Sequence, residues 1–248
     1  MKPSEALALN KESWEREASR FYGRAALPEY GPLAPAETEL SLFEEIKDKR
    51  VLDIGCGSGH SLKYMGDEGA MELWGLDLTA LQIKTATEVL QDQTASVKLF
   101  ESPMEENPGI PEHYFDMVYS IYALGWTTDL KRTLQHVNGY LKPGGTFIFS
   151  WEHPMHDRLV YENGNFIMSK SYHIEGPELN EAWHSKAVIP HRKLSTYLNT
   201  LIACGFVIDR VVEEAVLPDI LPDDDQKWYS AQKASLTPAT FIIKASKK

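Results

Sequence analysis

The stretch VLDIGCGSGHS, residues 51–61, decides how this chain of 248 residues is read. Val51, Leu52 and Ile54 make a short apolar run that ends in glycine, the pattern of a strand buried on both faces. Gly55, Gly57 and Gly59 then alternate with small residues. Glycines here permit positive φ and let the backbone come close to a ligand. The helix that follows starts with unpaired N–H groups turned toward the bend, a suitable seat for an anionic group.

Outward from this stretch the same alternation continues. ELWGLDL (72–78), SVKLFES (96–102), FDMVYSI (115–121) and TFIFSW (146–151) read as the second to fifth strands. Helical spacing falls between them, over Leu81–Gln93, with Ile83, Ala86 and Leu90 on one face, and over Leu130–Leu141, stopped by KPGG (142–145). A helix over Lys193–Ala203, ended by Gly205, precedes two last strands, FVIDRVVEE (206–214) and ATFIIKA (239–245). Toward the N-terminus, residues 5–22 read as a helix with Leu7, Trp14, Ala18 and Phe21 on one side. Leu27–Glu37 is a Pro/Gly loop. Leu40, Phe43 and Ile46 continue a helical stripe that Lys47–Arg50 closes. Strands alternating with helices imply an α/β fold with a mostly parallel sheet covered on both faces. Its functional loops lie beyond the carboxyl ends of the strands, near the point where strand order reverses. The reading is one domain over 1–248. Residues 1–46 form an N-terminal helical cover, and the long segment 152–192 is an insertion or lid beside the substrate.

Composition narrows the class. Hydrophobic residues are 43% and charged residues 25% of the chain, ordinary globular usage that argues against disorder. Two cysteines, Cys56 and Cys204, indicate no disulfide framework. The N-terminus lacks a basic start followed by an apolar run, no sequon is present, and no apolar stretch reaches membrane-spanning length. The expected setting is the reducing cytoplasm, with no membrane partner. A net charge of −11 disfavours non-specific binding to nucleic acid. The acidic cluster Asp223–Asp225 reads as a solvated loop. Oligomeric state leaves no trace in the sequence.

Asp77 closes the second strand. In this kind of fold that position sets a carboxylate beside the first loop, where it can accept two hydrogen bonds from a ribose diol. A nicotinamide site is disfavoured, because Gly-x-Gly-x-x-Gly/Ala needs a small residue where His60 stands. No phosphate loop of the Gly-x-x-x-x-Gly-Lys-Ser/Thr type exists.

VLDIGCGSGHS, WGLDL (74–78), FDMVYSIYALGW (115–126) and LKPGGTFIFSWEHP (141–154) resemble class I S-adenosylmethionine-dependent methyltransferases, closest to small-molecule members of the ubiquinone-type group. YGPLAPAETEL and PHRKLSTYLNTLIACGF resemble a bacterial subgroup of undefined substrate. The resemblance implies a Rossmann-like sandwich of seven strands that transfers a methyl group from S-adenosyl-L-methionine to a small-molecule acceptor by in-line displacement. It also implies roles for particular residues. Asp53, Gly55, Gly57 and Gly59 line the methionine part of the cofactor, with Cys56 contributing backbone rather than a nucleophilic thiol. Asp77 holds the ribose, and Leu78, Pro103 and Met104 meet the adenine. Ser120 and Ile121 lie near the methyl group. Tyr30 covers the cofactor from the N-terminal side, with Trp14 and Tyr22 as further candidates for the cover.

WEHP leaves the fifth strand at the functional edge, so His153 is the candidate catalytic base or orienting group. Tyr122 and Trp126 would form an aromatic wall. His191 and Arg192 would reach the same pocket, Arg192 suiting a carboxylate or phosphate on the acceptor. Tyr161, Phe166, Tyr172 and Trp183 suit a lid or an apolar pocket. His153-x-x-His156-Asp157 is not assigned as a metal site, because its spacing on a loop is unspecific. Other readings stay open: an RNA methyltransferase, an enzyme using the same cofactor for other chemistry, or a non-catalytic protein that binds it.

Overall fold

Runs that are apolar at every position can be strands only if both faces of the sheet are covered, and this chain meets that condition. The computed structural model describes residues 1–162, 164–180, 185–221 and 228–248. In chain order its elements begin with α1 (Pro3–Glu17), α2 (Glu37–Leu40), β1 (Arg50–Ile54), α3 (His60–Asp67), β2 (Glu72–Asp77), α4 (Ala80–Val89), β3 (Ser96–Glu101) and β4 (Phe115–Ile121). Then follow α5 (Leu130–Tyr140), β5 (Leu141–Glu152), β6 (Leu159–Glu162), β7 (Asn165–Met168), β8 (Gly176–Asn180), β9 (Ala187–His191), α6 (Leu194–Ala203), β10 (Phe206–Val212), α7 (Ala231–Ala234) and β11 (Thr240–Lys247).

Seven strands form one sheet in the order β10-β11-β5-β4-β1-β2-β3. The ladder is parallel from β5 to β3, and β11 runs antiparallel to both β5 and β10. Strand order reverses between β1 and β4, and their carboxyl ends open the crevice where ligands bind in such sheets. Alternate residues of one strand feed opposite cores. Leu52 and Ile54 pack with Val118, Phe147 and Phe149, while Val51 packs with Met117, Tyr119 and Ile148.

Three elements differ from the sequence reading. The stripe Leu40–Phe43–Ile46 is not a continuing helix, since α2 stops at Leu40 and Ser41 turns to φ 48°. The Glu37 carboxylate accepts the Leu42 and Phe43 N–H groups at 3.0 and 2.9 Å, so these donors are satisfied outside a helix. Leu42, Phe43 and Ile46 are buried all the same. The fifth strand starts at Leu141, before KPGG. Phe115 pairs with Leu141 and Met117 with Thr146, so residues 142–145 bulge out of the ladder. Lastly, α1 turns its polar side inward. Asn10 donates to the Val188 carbonyl at 2.8 Å and accepts the Val188 N–H at 2.7 Å, and Ser13 bonds Ser185 at 2.7 Å.

Segment 152–192 holds two antiparallel hairpins, β6–β7 and β8–β9. Through Asn10 and Ser13 the second hairpin is bound to α1. Trp183 and Asp223–Asp225 lie outside the described residues. Among the described residues no helix is long and apolar enough to cross a membrane.

Candidate functional site

The bend after β1 is held by two hydrogen bonds, from the Gly55 and Cys56 N–H groups to the Leu76 carbonyl, both 2.9 Å. Gly55, Gly57 and Gly59 have φ of 79, 50 and 80°, values that favour glycine. A Cβ on Gly55 would collide with Ala123, so the bend closes directly against the loop after β4. Gly59 lacks a side chain for another reason: its Cα lies against Ala86 of α4, and it stands immediately before α3.

Asp77 faces the bend. One carboxylate oxygen accepts the Gly57 N–H at 3.0 Å, and the other accepts the Thr79 N–H and hydroxyl at 3.1 and 3.3 Å. Asp53 lies beneath the bend, buried, with Oδ1 unpartnered. Burial and the nearby Asp77 charge push its carboxyl well above the usual range. An orphaned buried carboxylate oxygen ordinarily signals a missing partner. Burial likewise pushes the Cys56 thiol up, so it is no ready nucleophile.

From the bend a cavity of about 680 Å³ extends under α1 and the β8–β9 hairpin. Asp53, Gly55, Cys56, Gly57 and Asp77 form one part of its wall. Leu78, Pro103, Met104 and Ile121 continue it. Its far half meets Tyr122, Trp126, His153, His191 and Arg192. Three expected residues stand elsewhere. Gly59 serves the α3–α4 approach. Ser120 is buried and donates to the Ile54 carbonyl at 2.7 Å, tying β4 to β1. Tyr30 is wholly buried, stacks on Phe43 and donates to Glu37 at 2.5 Å, so the core claims it and it covers nothing. The cover comes from α1 and the turn after it, through Leu7, Trp14, Phe21 and Arg24. Tyr22 is exposed and packs on His60.

The far half is aromatic. Trp126 lies 5.3 Å from Trp14 and 6.1 Å from Trp151, ring centre to ring centre. Tyr122 lies 5.5 Å from Trp151 and 6.3 Å from Tyr229. Tyr122 holds φ 54°, an unusual value for a bulky residue, fixed by its N–H on the Ser150 carbonyl and its hydroxyl on Thr240 at 2.8 Å.

The polar candidates are more committed than the sequence implied. His153 Nδ1 accepts the Met155 N–H at 3.2 Å, which assigns the ring proton to Nε2, 2.8 Å from Glu213. Neither nitrogen keeps a free lone pair for a substrate proton, and burial lowers the ring's pKa despite Glu213. Arg192 donates to the Gly125 and Thr127 carbonyls and thereby fixes the loop between β4 and α5. His191 Nε2 donates to the Tyr172 carbonyl at 3.2 Å. His156 points its Nε2 at the Trp228 carbonyl, 2.8 Å away, and no cluster among the described residues could hold a metal ion.

Sequence reasoning missed Glu152, Trp228, Tyr229 and Arg24, all at the cavity wall. Glu152 accepts the Trp228 indole N–H at 2.6 Å, and burial pushes its carboxyl up to about 7. Its signal was available, one residue before His153 at the end of a strand. Trp228 and Tyr229 follow a stretch without periodicity and carry no such signal.

Residues 52–149 match the family model of a methyltransferase domain. Together with the sheet order and the acid-and-glycine bend, this gives the chain a methyltransferase domain in the fold of the class I S-adenosylmethionine-dependent methyltransferases. Its relatives are consistent with that. A crystal structure of an S-adenosylmethionine-dependent methyltransferase from Mesorhizobium loti superposes with a TM-score of 0.68 at 28% identity, covering 86% of this chain and 98% of that one. A protein of Haemophilus influenzae is 29% identical over 223 residues, 85% of each chain. The malonyl-[acyl-carrier protein] O-methyltransferase of Pseudescherichia vulneris is 30% identical over 175 residues, and the match spans 69% of this chain and 60% of that enzyme.

Proposed function

We propose that the chain methylates a small molecule, with cofactor and acceptor side by side in the one cavity. The carrying observation is its continuity: the bend and its two acids grade into an aromatic chamber with no wall between. A volume near 680 Å³ suits ligands of metabolite size.

The residues present fit S-adenosylmethionine. Asp53 offers its orphaned oxygen to the ammonium of the methionine part. Arg24, which forms no ion pair among the described residues, offers a guanidinium to the carboxylate. Asp77 would take the ribose diol, and Leu78 and Met104 the adenine. When bound, the cofactor supplies a methyl group on a positively charged sulfur, which leaves as a neutral thioether. What the protein must add is alignment and exclusion of water. Ile121 and Tyr122, at the end of β4, line the cavity between the two halves and would flank the place where acceptor and methyl group meet. Helix α1 and the β8–β9 hairpin close the chamber above it.

Incubating the intact chain with methyl-deuterated S-adenosylmethionine and a panel of small amines, phenols, thiols and carboxylic acids, followed by mass spectrometry, tests this reading. Labelled product from a small acceptor supports it. Label entering only RNA or protein would refute it.

A further inference from the structure

The far half of the cavity has a charge pattern that selects its ligand. Among the described residues four carboxylates line it: Glu105, Glu152, Asp157 and Glu178. Three are already satisfied. Glu105 accepts the Thr127 and Thr128 hydroxyls and the Thr128 N–H. Asp157 and Glu178 share the buried Arg158 guanidinium, and Glu178 also binds Lys170 at 2.7 Å. The cations lining this half are likewise engaged, Lys170 on Glu178 and Arg192 on two backbone carbonyls. Glu152 differs. It receives hydrogen bonds from Trp228 and Tyr229 but forms no ion pair among the described residues. Lys233 attracts it through space without a direct ion pair, its ammonium stacked on the Trp228 ring at 4.1 Å.

A carboxylate that forms no ion pair among the described residues, at the end of a wall of aromatic rings, is a receptor for a cation. The carboxylate supplies the charge, and the ring faces add attraction for an ammonium. A phosphate or carboxylate acceptor would meet Glu152 where the described cations of this half, Lys170 and Arg192, are already engaged. We propose that the acceptor is an amine, bound as its ammonium form against Trp126, Trp151 and Tyr122, with Glu152 as its ion-pair partner and proton acceptor.

This rests on the methyltransferase reading and specifies its substrate class. A protonated amine has no lone pair and cannot attack. Its proton passes to the Glu152 carboxylate, which becomes a neutral acid. The freed nitrogen lone pair then forms a bond to the methyl carbon while the carbon–sulfur bond breaks, and that electron pair stays on sulfur. The positive charge moves from sulfur to the methylated nitrogen. A carboxyl raised to about 7 accepts this proton near neutral pH. The charged and titratable groups that act on it are Asp157, Lys233, Tyr229 and Tyr122, and His153 is its neighbour in the chain.

The experiment uses the intact chain saturated with S-adenosylhomocysteine, titrated calorimetrically with benzyltrimethylammonium, benzyl alcohol and benzylsulfonate. The ammonium should bind about tenfold or more tightly than the alcohol, a free-energy difference of about 1.4 kcal/mol, and the sulfonate should not bind. Glu152→Gln should abolish the preference while S-adenosylhomocysteine still binds. Trp126→Leu should weaken the ammonium more than the alcohol. Equal binding of ammonium and alcohol, tighter binding of the sulfonate, or a preference that survives Glu152→Gln would each overturn the proposal while leaving the methyltransferase reading intact. Failure of S-adenosylhomocysteine itself to bind would overturn both.

Discussion

At the scale of single residues the account turns on carboxylates. Asp77 is bonded to the bend at Gly57, and its proposed role is to take the ribose. Asp77→Ala should weaken S-adenosylhomocysteine binding by about 1.5–3 kcal/mol, the range of hydrogen bonds to charged groups, as read by calorimetry. Unchanged affinity would remove Asp77 from the site. Gly55 combines a positive φ with contact against Ala123. Gly55→Ala should therefore cost about 1–3 kcal/mol of stability in denaturant unfolding, and a neutral result would contradict the close approach. Glu152 carries a pH signature. Its folded pKa, about 7, lies above the unfolded carboxylate value, so its contribution to stability is full at low pH and is lost as pH rises through about 7. Glu152→Gln should raise the melting temperature more at pH 8 than at pH 5; equal gains would show that the carboxyl is not perturbed. Asp53 and Asp77 were legible in the sequence because motif and fold place them together. His153 was legible as a cavity residue, but its engagement by Met155 and Glu213 was not, since Glu213 is 60 residues away.

At the scale of elements, strands read well because β1, β2, β4 and β5 are apolar on both faces and cannot be surface structure. Errors came where polar side chains organise the backbone. Glu37 draws residues 41–43 away from helix, and Asn10 makes the polar side of α1 the buried one. No local pattern announces this, because the partner of Asn10 is Val188, 178 positions along the chain. That bridge gives α1 its role as a roof. Asn10→Leu would leave the Val188 N–H and carbonyl buried without partners, a loss of about 1–3 kcal/mol for each unsatisfied group. Hydrogen exchange in α1 and β9 should accelerate in this variant while β1 and β4 stay protected. Unchanged protection in α1 would mean that the roof is held by other contacts.

Across the whole molecule, legibility follows distance in sequence. The half of the cavity at the bend is built from residues 53–57, 77–78 and 103–104, each just beyond or at the carboxyl end of a strand that the sequence reading placed. The aromatic half brings together α1, the end of β5, the β8–β9 hairpin and Trp228–Tyr229, which only the tertiary fold unites. Net charge told against nucleic acid in general terms. The proposed ammonium preference turns on Glu152, whose surroundings become visible only in the packing. The central claim is that the bend after β1 and the acid ending β2 hold the adenosyl part of the cofactor at the mouth of the aromatic chamber. A crystal structure of the chain with S-adenosylhomocysteine tests it most directly. The account predicts the ribose hydroxyls on Asp77, the amino group at Asp53 and the sulfur facing the Tyr122–Trp126 wall. Ligand seated away from the Gly55–Gly57 bend, or with its sulfur turned from that wall, would contradict it.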